Sequence, residues 1–320
     1  MADPAIPTLS SIPVITQEGI PVQPNTALIN MLGRLQLGRS GGTTPSAAVF
    51  QQIKSAIMAS PNLIAELNAA SLDGTWGFLH SIVHSSTGNG VCYNPRNHSI
   101  VITQNYLDSM DQALESSNDP QNLLIDVLGH ETCHAMDAGN LSLFRQEVAQ
   151  SLQSAFAAEP DEDITVVLLN YKNWLTVDEA STNFAGWNAL LGTLGTTTPS
   201  LQALVALVQS ASLTTELVVG WATGLRAGRD GITLLPSEEI DNTAGGLATM
   251  SDHNTAIEMP IMGERLGSYS QQEYNIMEAV NALNFPFAVA RSNPVKVNLS
   301  ELGIGSKGGA GDPFPQLANW

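Results

Sequence analysis

Two histidines four residues apart, with a glutamate directly after the first, stand at His130, Glu131 and His134 in the stretch VLGHETCHAMDAGN, residues 127–140. Neutral imidazoles suit Zn2+, which in catalytic sites takes three protein ligands and keeps a fourth position for water. On a helix at about 100° per residue His134 falls about 40° from His130 and one turn on, so both rings reach toward one point. Glu131 sits beside the pair, placed to take a proton from water and pass it to a leaving group; zinc lowers the pKa of such a water to about 7. This spacing is a signature of zinc-dependent hydrolysis.

The same wheel puts Asp126 and Asp137 on the ligand-bearing stripe, and Leu124, Ile125, Leu128, Ala135 and Met136 on the opposite side. One face is then available for metal and the other for a core. Cys133 lies on the other flank from Glu131 and reads as packing rather than as a ligand. Asp137 carries two readings: it orients His134 through the second ring nitrogen, or it is polarity near a helix end. Asp126 is open in the same way.

Two imidazoles do not complete a zinc site. A third ligand on the same helix would be a histidine at position 140 with glycine at 137, but Asn140 and Asp137 stand there, which excludes the HExxHxxGxxH class. The other common solution is a glutamate from a second helix. The stretch LTVDEASTNFAGWNALL offers Glu179, with Asn183 one turn on and Gly186 continuing that face. Glycine there lets the two helices approach closely, and Asn183 could hydrogen-bond a ligand. The rival account makes Glu179 a solvated acid beside Asp178 at a helix start, where acids are favoured. Glu147, Glu159 and Glu162 are less well placed.

HETCHAMDA followed downstream by DEASTNFAGWNAL resembles the zinc metallopeptidase toxins of bacterial type VI secretion, which occur as free effectors or as C-terminal domains on VgrG, PAAR and Rhs proteins. The segments VCYNPRNHSIVI and GSYSQQEYNIMEAV also resemble parts of that group, so the likeness covers about residues 90–285. The HExxH motif is widely shared, and the EAxxNxxGWN pairing is the more specific part. The resemblance implies Zn2+ held by His130, His134 and Glu179, with Glu131 as the base, on a zincin-like fold with an HExxH…E site. It also implies a secreted antibacterial toxin, made in the cytoplasm, exported without a cleavable signal and acting in the periplasm of target cells. Its implied partners are a cognate immunity protein, a loading component (VgrG, PAAR or an adaptor) and a peptide or peptidoglycan substrate. The leader and the apolar stretch near 190–225 have no counterpart in that resemblance.

Amide hydrolysis also needs a donor for the developing oxyanion. Candidates are Tyr269 and Tyr274 in GSYSQQEYN, His253 in MSDHNT, and Arg265. Tyr269 comes first because its segment resembles the family, and His253 second; surface or core placement is the alternative for each. His80 and His84 in HSIVH share the four-residue spacing but lack an adjacent acid, and read as structural. His98 falls in a turn and reads as its cap.

The elements that must position these residues are mostly helical, with one small β-sheet, in a mostly α (α+β) fold. Residues 1–45 read as an extended leader, 46–300 as one metallopeptidase-like domain and 301–320 as a loose tail. Helices are expected from Ser46 and from Pro61, with a further short one over GTWGFLHSIVHSS. GVCYNPRNHSIVITQNYL reads as a hairpin about its Asn-Pro turn. Asp119 and Pro120 look like N-cap and first residue of the motif helix, and Gly139 like its stop. Further helices are expected over 141–157, 163–190 and YSQQEYNIMEAVNAL, with a loop-rich stretch from Arg226 to Met262.

Composition narrows the function classes. Thirty acidic against twelve basic residues give a net charge of −18, which disfavours nucleic acid and anionic lipid as partners. With 43% hydrophobic and 13% charged residues the chain is expected to fold. Two cysteines, Cys92 and Cys133, make no disulfide framework, although a single bridge stays open. The first basic residue is Arg34 and four prolines precede residue 22, which argues against a signal peptide. Between Gly186 and Leu225 the only charge is Glu216, yet Gly, Thr, Ser, Gln and Pro interrupt every apolar run. Buried helices around TTTPS are expected there rather than a membrane span, which wants about 20 apolar residues. A second reading stays open, a secreted binding or membrane-perturbing protein working through the apolar 186–225 stretch with zinc only holding the fold.

Overall fold

The computed structural model describes residues 22–39, 41–71, 79–112, 119–157, 185–196, 225–227 and 234–236, with single positions and short stretches between 163 and 182, between 203 and 210 and at Asn298. Two units divide the chain: Thr8–Gly139 with Ala180–Thr255, and Asn140–Glu179 with Met1–Pro7 and Ala256–Trp320. The sheet and both motif histidines belong to the first unit.

In that unit α1 (Thr26–Gln36), α2 (Ala47–Ala59) and α3 (Pro61–Ser71) come first. Helix α1 falls inside the stretch expected to be an extended leader, which corrects that reading. Asn25 caps it, its side chain accepting from the Leu28 N–H at 2.8 Å. Leu28, Met31, Leu32 and Leu35 recur at helical spacing and are buried. Helices α2 and α3 start where expected, behind Ser46 and at Pro61. Ser60 closes α2 and opens α3, its hydroxyl accepting from the Leu63 N–H at 3.0 Å.

Strands β1 (Ser81–Ser85), β2 (Val91–Asn94) and β3 (Ser99–Thr103) form one sheet in the order β1-β3-β2. The expected hairpin is present as the antiparallel pair β2 and β3, with Tyr93 opposite Ile100. Residues 81–85, expected as helix, are instead a strand lying parallel to β3, with Ser81 opposite Ser99. Ile82 and Val83 favour a pleated, half-buried surface over a helix. The outer edge of β1 is covered by the chain before α2: the Thr43 N–H donates to the His84 carbonyl at 2.9 Å.

Helix α4 (Gln104–Gln112) follows β3 directly, and α5 (Pro120–Ala157) carries the motif. Asp119 caps α5 as expected, its carboxylate accepting from the Gln121 N–H at 2.9 Å. Gly139 does not end the helix. α5 runs on for 38 residues in all, joining the expected motif helix to the expected 141–157 helix. A single glycine costs a helix only about 1 kcal/mol, and the next proline, Pro160, stands beyond the end of α5.

Residues 185–191 form a further helical segment, continued by a 3-10 turn at Gly192–Leu194. Two short strands, β4 (Leu225–Ala227) and β5 (Leu234–Pro236), pair antiparallel in a stretch expected to be loop. Among the described residues no helix is long and apolar enough to cross a membrane.

Candidate metal centre

Of the apolar stripe of α5, Leu124, Ile125, Leu128 and Ala135 have no exposed surface, while Met136 is only half-buried. His130 and His134 are half-buried on the other side. Their ring centroids are 4.9 Å apart, with the ring planes at 78°. Two imidazoles bound to one ion at about 2.0 Å, with each centroid about 1.1 Å beyond its nitrogen, have centroids about 4.4–5.1 Å apart for angles of about 90–109° at the ion. The observed separation fits a shared ion. Neutral nitrogen donors of this kind suit Zn2+.

Glu131 is 7% exposed, held between α5 and the edge strand β2. Its Oε2 accepts the backbone N–H of Tyr93 at 2.6 Å. That donor belongs to the main chain of β2 and is 38 residues away, so side-chain identity gave no sign of it. Its only trace in the sequence was the hairpin placed just before the motif. Two further groups feel the same carboxylate. Burial and then the Glu131 charge push the Cys92 thiol up. Burial, then Asp126, then Glu131 push the Tyr106 phenol up. Tyr106, on α4, is therefore a hydroxyl in the electrostatic neighbourhood of the base that sequence reasoning missed; the short segment between β3 and the motif helix was its only clue.

Asp126 lies where α5 meets the helical segment 185–191. A Cβ on Gly186 would stand 2.8 Å from the Asp126 carbonyl oxygen and closer still to its Oδ1. A Cβ on Gly129 would stand 2.7 Å from Ala189 Cβ, 2.9 Å from the Ala185 carbonyl and 3.1 Å from Gly186 Cα. The two backbones therefore touch through facing glycines, as expected of Gly186, with Gly129 the partner the sequence did not single out. Ser60 and Asn62 hold the other end of that segment, donating to the Ala189 carbonyl at 2.5 Å and the Asn188 carbonyl at 2.7 Å.

Cys133 is buried and Cys92 exposed. Cys133 packs in the core and contacts Asp137 through Sγ at 3.8 Å from Oδ2, in keeping with filler rather than a ligand. His84 is buried and bonded at both ring nitrogens, Nδ1 to Thr43 Oγ1 at 2.9 Å and Nε2 to Gln104 Oε1 at 3.0 Å. It is a structural histidine. His98 takes the left-handed backbone conformation that the turn before β3 requires, at φ 51°, with Nδ1 2.9 Å from the Tyr93 hydroxyl. Burial and then His80 hold its imidazolium below the ordinary range.

Glu179, Asn183, His253, Arg265, Tyr269 and Tyr274 lie outside the described residues. Among the described residues no group of three or more His, Cys, Asp or Glu side chains comes together to hold a metal. No protein-family model matches the chain, and no curated protein or solved structure shows significant similarity to it.

Proposed function

We propose that this chain is a zinc-dependent hydrolase of metallopeptidase type that cleaves an amide bond. The observation that carries the reading is the pair of half-buried imidazoles, 4.9 Å between centroids, on the same helical turn as a buried glutamate. His130 and His134 would hold the ion, and Glu179 is the proposed third ligand on the sequence pattern alone. Bound there, zinc would supply Lewis acidity, polarising the scissile carbonyl and easing the ionisation of water.

The chain's own residues supply the rest. Glu131 accepts the proton released by the attacking water and returns it to the departing amine, so no net proton is consumed. The Tyr93 N–H holds Oε2 of this carboxylate at 2.6 Å, leaving Oε1 as the oxygen proposed to take the proton. Tyr106 offers a phenol that stays protonated at neutral pH, as a hydrogen-bond donor must. Tyr269 and His253 are the donors proposed from sequence for the oxyanion.

The resemblance of HETCHAMDA and DEASTNFAGWNAL to type VI secretion toxins extends the proposal to biology. In that reading the protein is an antibacterial effector acting in a target cell's periplasm, with an immunity protein and a VgrG, PAAR or adaptor partner. The test is Glu131→Gln, which keeps the shape and should keep the metal. Hydrolysis should fall by about 10²–10⁴, the usual worth of a positioned base, and periplasmic toxicity with it. Full toxicity of the variant in the periplasm would overturn the enzymatic reading. Incubation of the wild type with isolated sacculi and with a denatured protein then separates peptidoglycan from polypeptide as substrate.

A further inference from the structure

The parallel register of β1 and β3, with Ser81 opposite Ser99, brings the residues just before each strand side by side. These are His80 and His98. The His80 N–H donates to the His98 carbonyl at 2.7 Å, locking the two backbones together. Their rings lie 5.0 Å apart between centroids at 62°. His80 is exposed and His98 half-exposed, so an ion can reach them without any opening of the fold.

The geometry points to a second metal site on this surface, in which His80 and His98 together bind a late first-row divalent cation. The centroid separation falls within the range of about 4.4–5.1 Å expected for two imidazoles sharing one ion. His98 has the partner that metal-binding histidines usually have. Its Nδ1 is 2.9 Å from the Tyr93 hydroxyl. With Nδ1–H donating to that oxygen, the lone pair of Nε2 is left for the metal. Two protein donors with water completing the shell make a labile site, and the order of affinities should be Cu2+ above Ni2+ and Zn2+. Arg34 works against binding, because its Nη2 donates to the His80 carbonyl at 2.5 Å and brings a positive charge close.

The site does not depend on the hydrolase reading, although Tyr93 touches both: its hydroxyl meets His98 and its N–H meets Glu131. The experiment compares metal uptake by the full-length protein with that of His80→Gln and His98→Asn. Asn tolerates the left-handed backbone at position 98 and is a far poorer ligand. In equilibrium dialysis against Cu2+, the wild type should bind one equivalent more than either variant, whatever the motif histidines take. The paramagnetic resonance spectrum of that extra copper should carry imidazole nitrogen coupling. Tyr93→Phe, which keeps the N–H to Glu131, should weaken this uptake about 10–100-fold, and Arg34→Gln should strengthen it. Equal copper uptake by the wild type and both histidine variants would overturn the proposal.

Discussion

Adding one methyl group at Gly129 should destabilise the fold, while adding one at Gly33 should stabilise it, although both glycines are helical. In α5 the new methyl meets Ala189 Cβ at 2.7 Å and the Ala185 carbonyl at 2.9 Å. Carbon atoms prefer about 3.5–4.0 Å, so the two helices must separate by about 1 Å. Overpacking of this kind costs about 1–3 kcal/mol, and the gain in helix propensity offsets about 1 kcal/mol of it. A net loss of up to about 2 kcal/mol is expected for Gly129→Ala. At Gly33, exposed on α1, a Cβ meets nothing within 4 Å, and Gly33→Ala should gain about 0.5–1 kcal/mol. Urea unfolding followed by circular dichroism measures both; with m of about 1–3 kcal/mol per molar the Gly33→Ala midpoint should rise by about 0.2–1 M, while that of Gly129→Ala stays level or falls by up to about 2 M. A Gly129→Ala variant that gains as much stability as Gly33→Ala would refute the close approach of α5 to residues 185–191.

Other outcomes follow from single buried groups. Ser60→Ala removes both the cap of α3 and the hydroxyl donated to the Ala189 carbonyl in a fully buried position, and should cost about 1–3 kcal/mol by the same urea assay. Glu66, buried on α3, has an Oε2 with no hydrogen-bond partner among the described residues, and burial pushes its carboxyl well above the usual range. Below about pH 4 both folded and unfolded chains hold this proton; as pH rises the unfolded chain releases it first, so stability declines toward neutral pH. Glu66→Gln should therefore be more stable than the wild type near pH 7, with the advantage shrinking toward pH 4. An advantage independent of pH would contradict that assignment.

How much of this was legible in the sequence depended on whether the signal was local. The start of α5 was readable because Asp119 and Pro120 are adjacent cap chemistry, and its buried stripe because Leu124, Ile125 and Leu128 recur at helical spacing. Helix α1 is just as local, with Asn25 as cap and Leu28, Met31, Leu32 and Leu35 as its stripe, although the sequence reading takes the whole leader as extended. Strand β1 falls in a stretch read as a short helix, whereas a parallel partner 18 positions on, Ser99 for Ser81, decides the conformation. Gly139 has a stop's residue type, but nothing after it enforces one. The Tyr93 N–H on Glu131 and the contact of Gly129 with Gly186 are products of tertiary register, and main-chain contacts leave no residue-type signature. The EAxxNxxGWN stretch did point, through Gly186, to a close helix contact, while Glu179 rests on its sequence pattern.

The central claim is that His130 and His134 hold a zinc ion that Glu131 serves. It is tested most directly by zinc content after exhaustive dialysis, measured on the wild type beside His134→Ala, Glu131→Gln and Glu179→Ala. About one tightly held zinc per chain is expected in the wild type and in Glu131→Gln, with zinc lost from His134→Ala and from Glu179→Ala. Unchanged zinc in Glu179→Ala alone would remove the third ligand and leave the pair standing. A wild type without zinc, or a His134→Ala variant that keeps it, would contradict the claim itself.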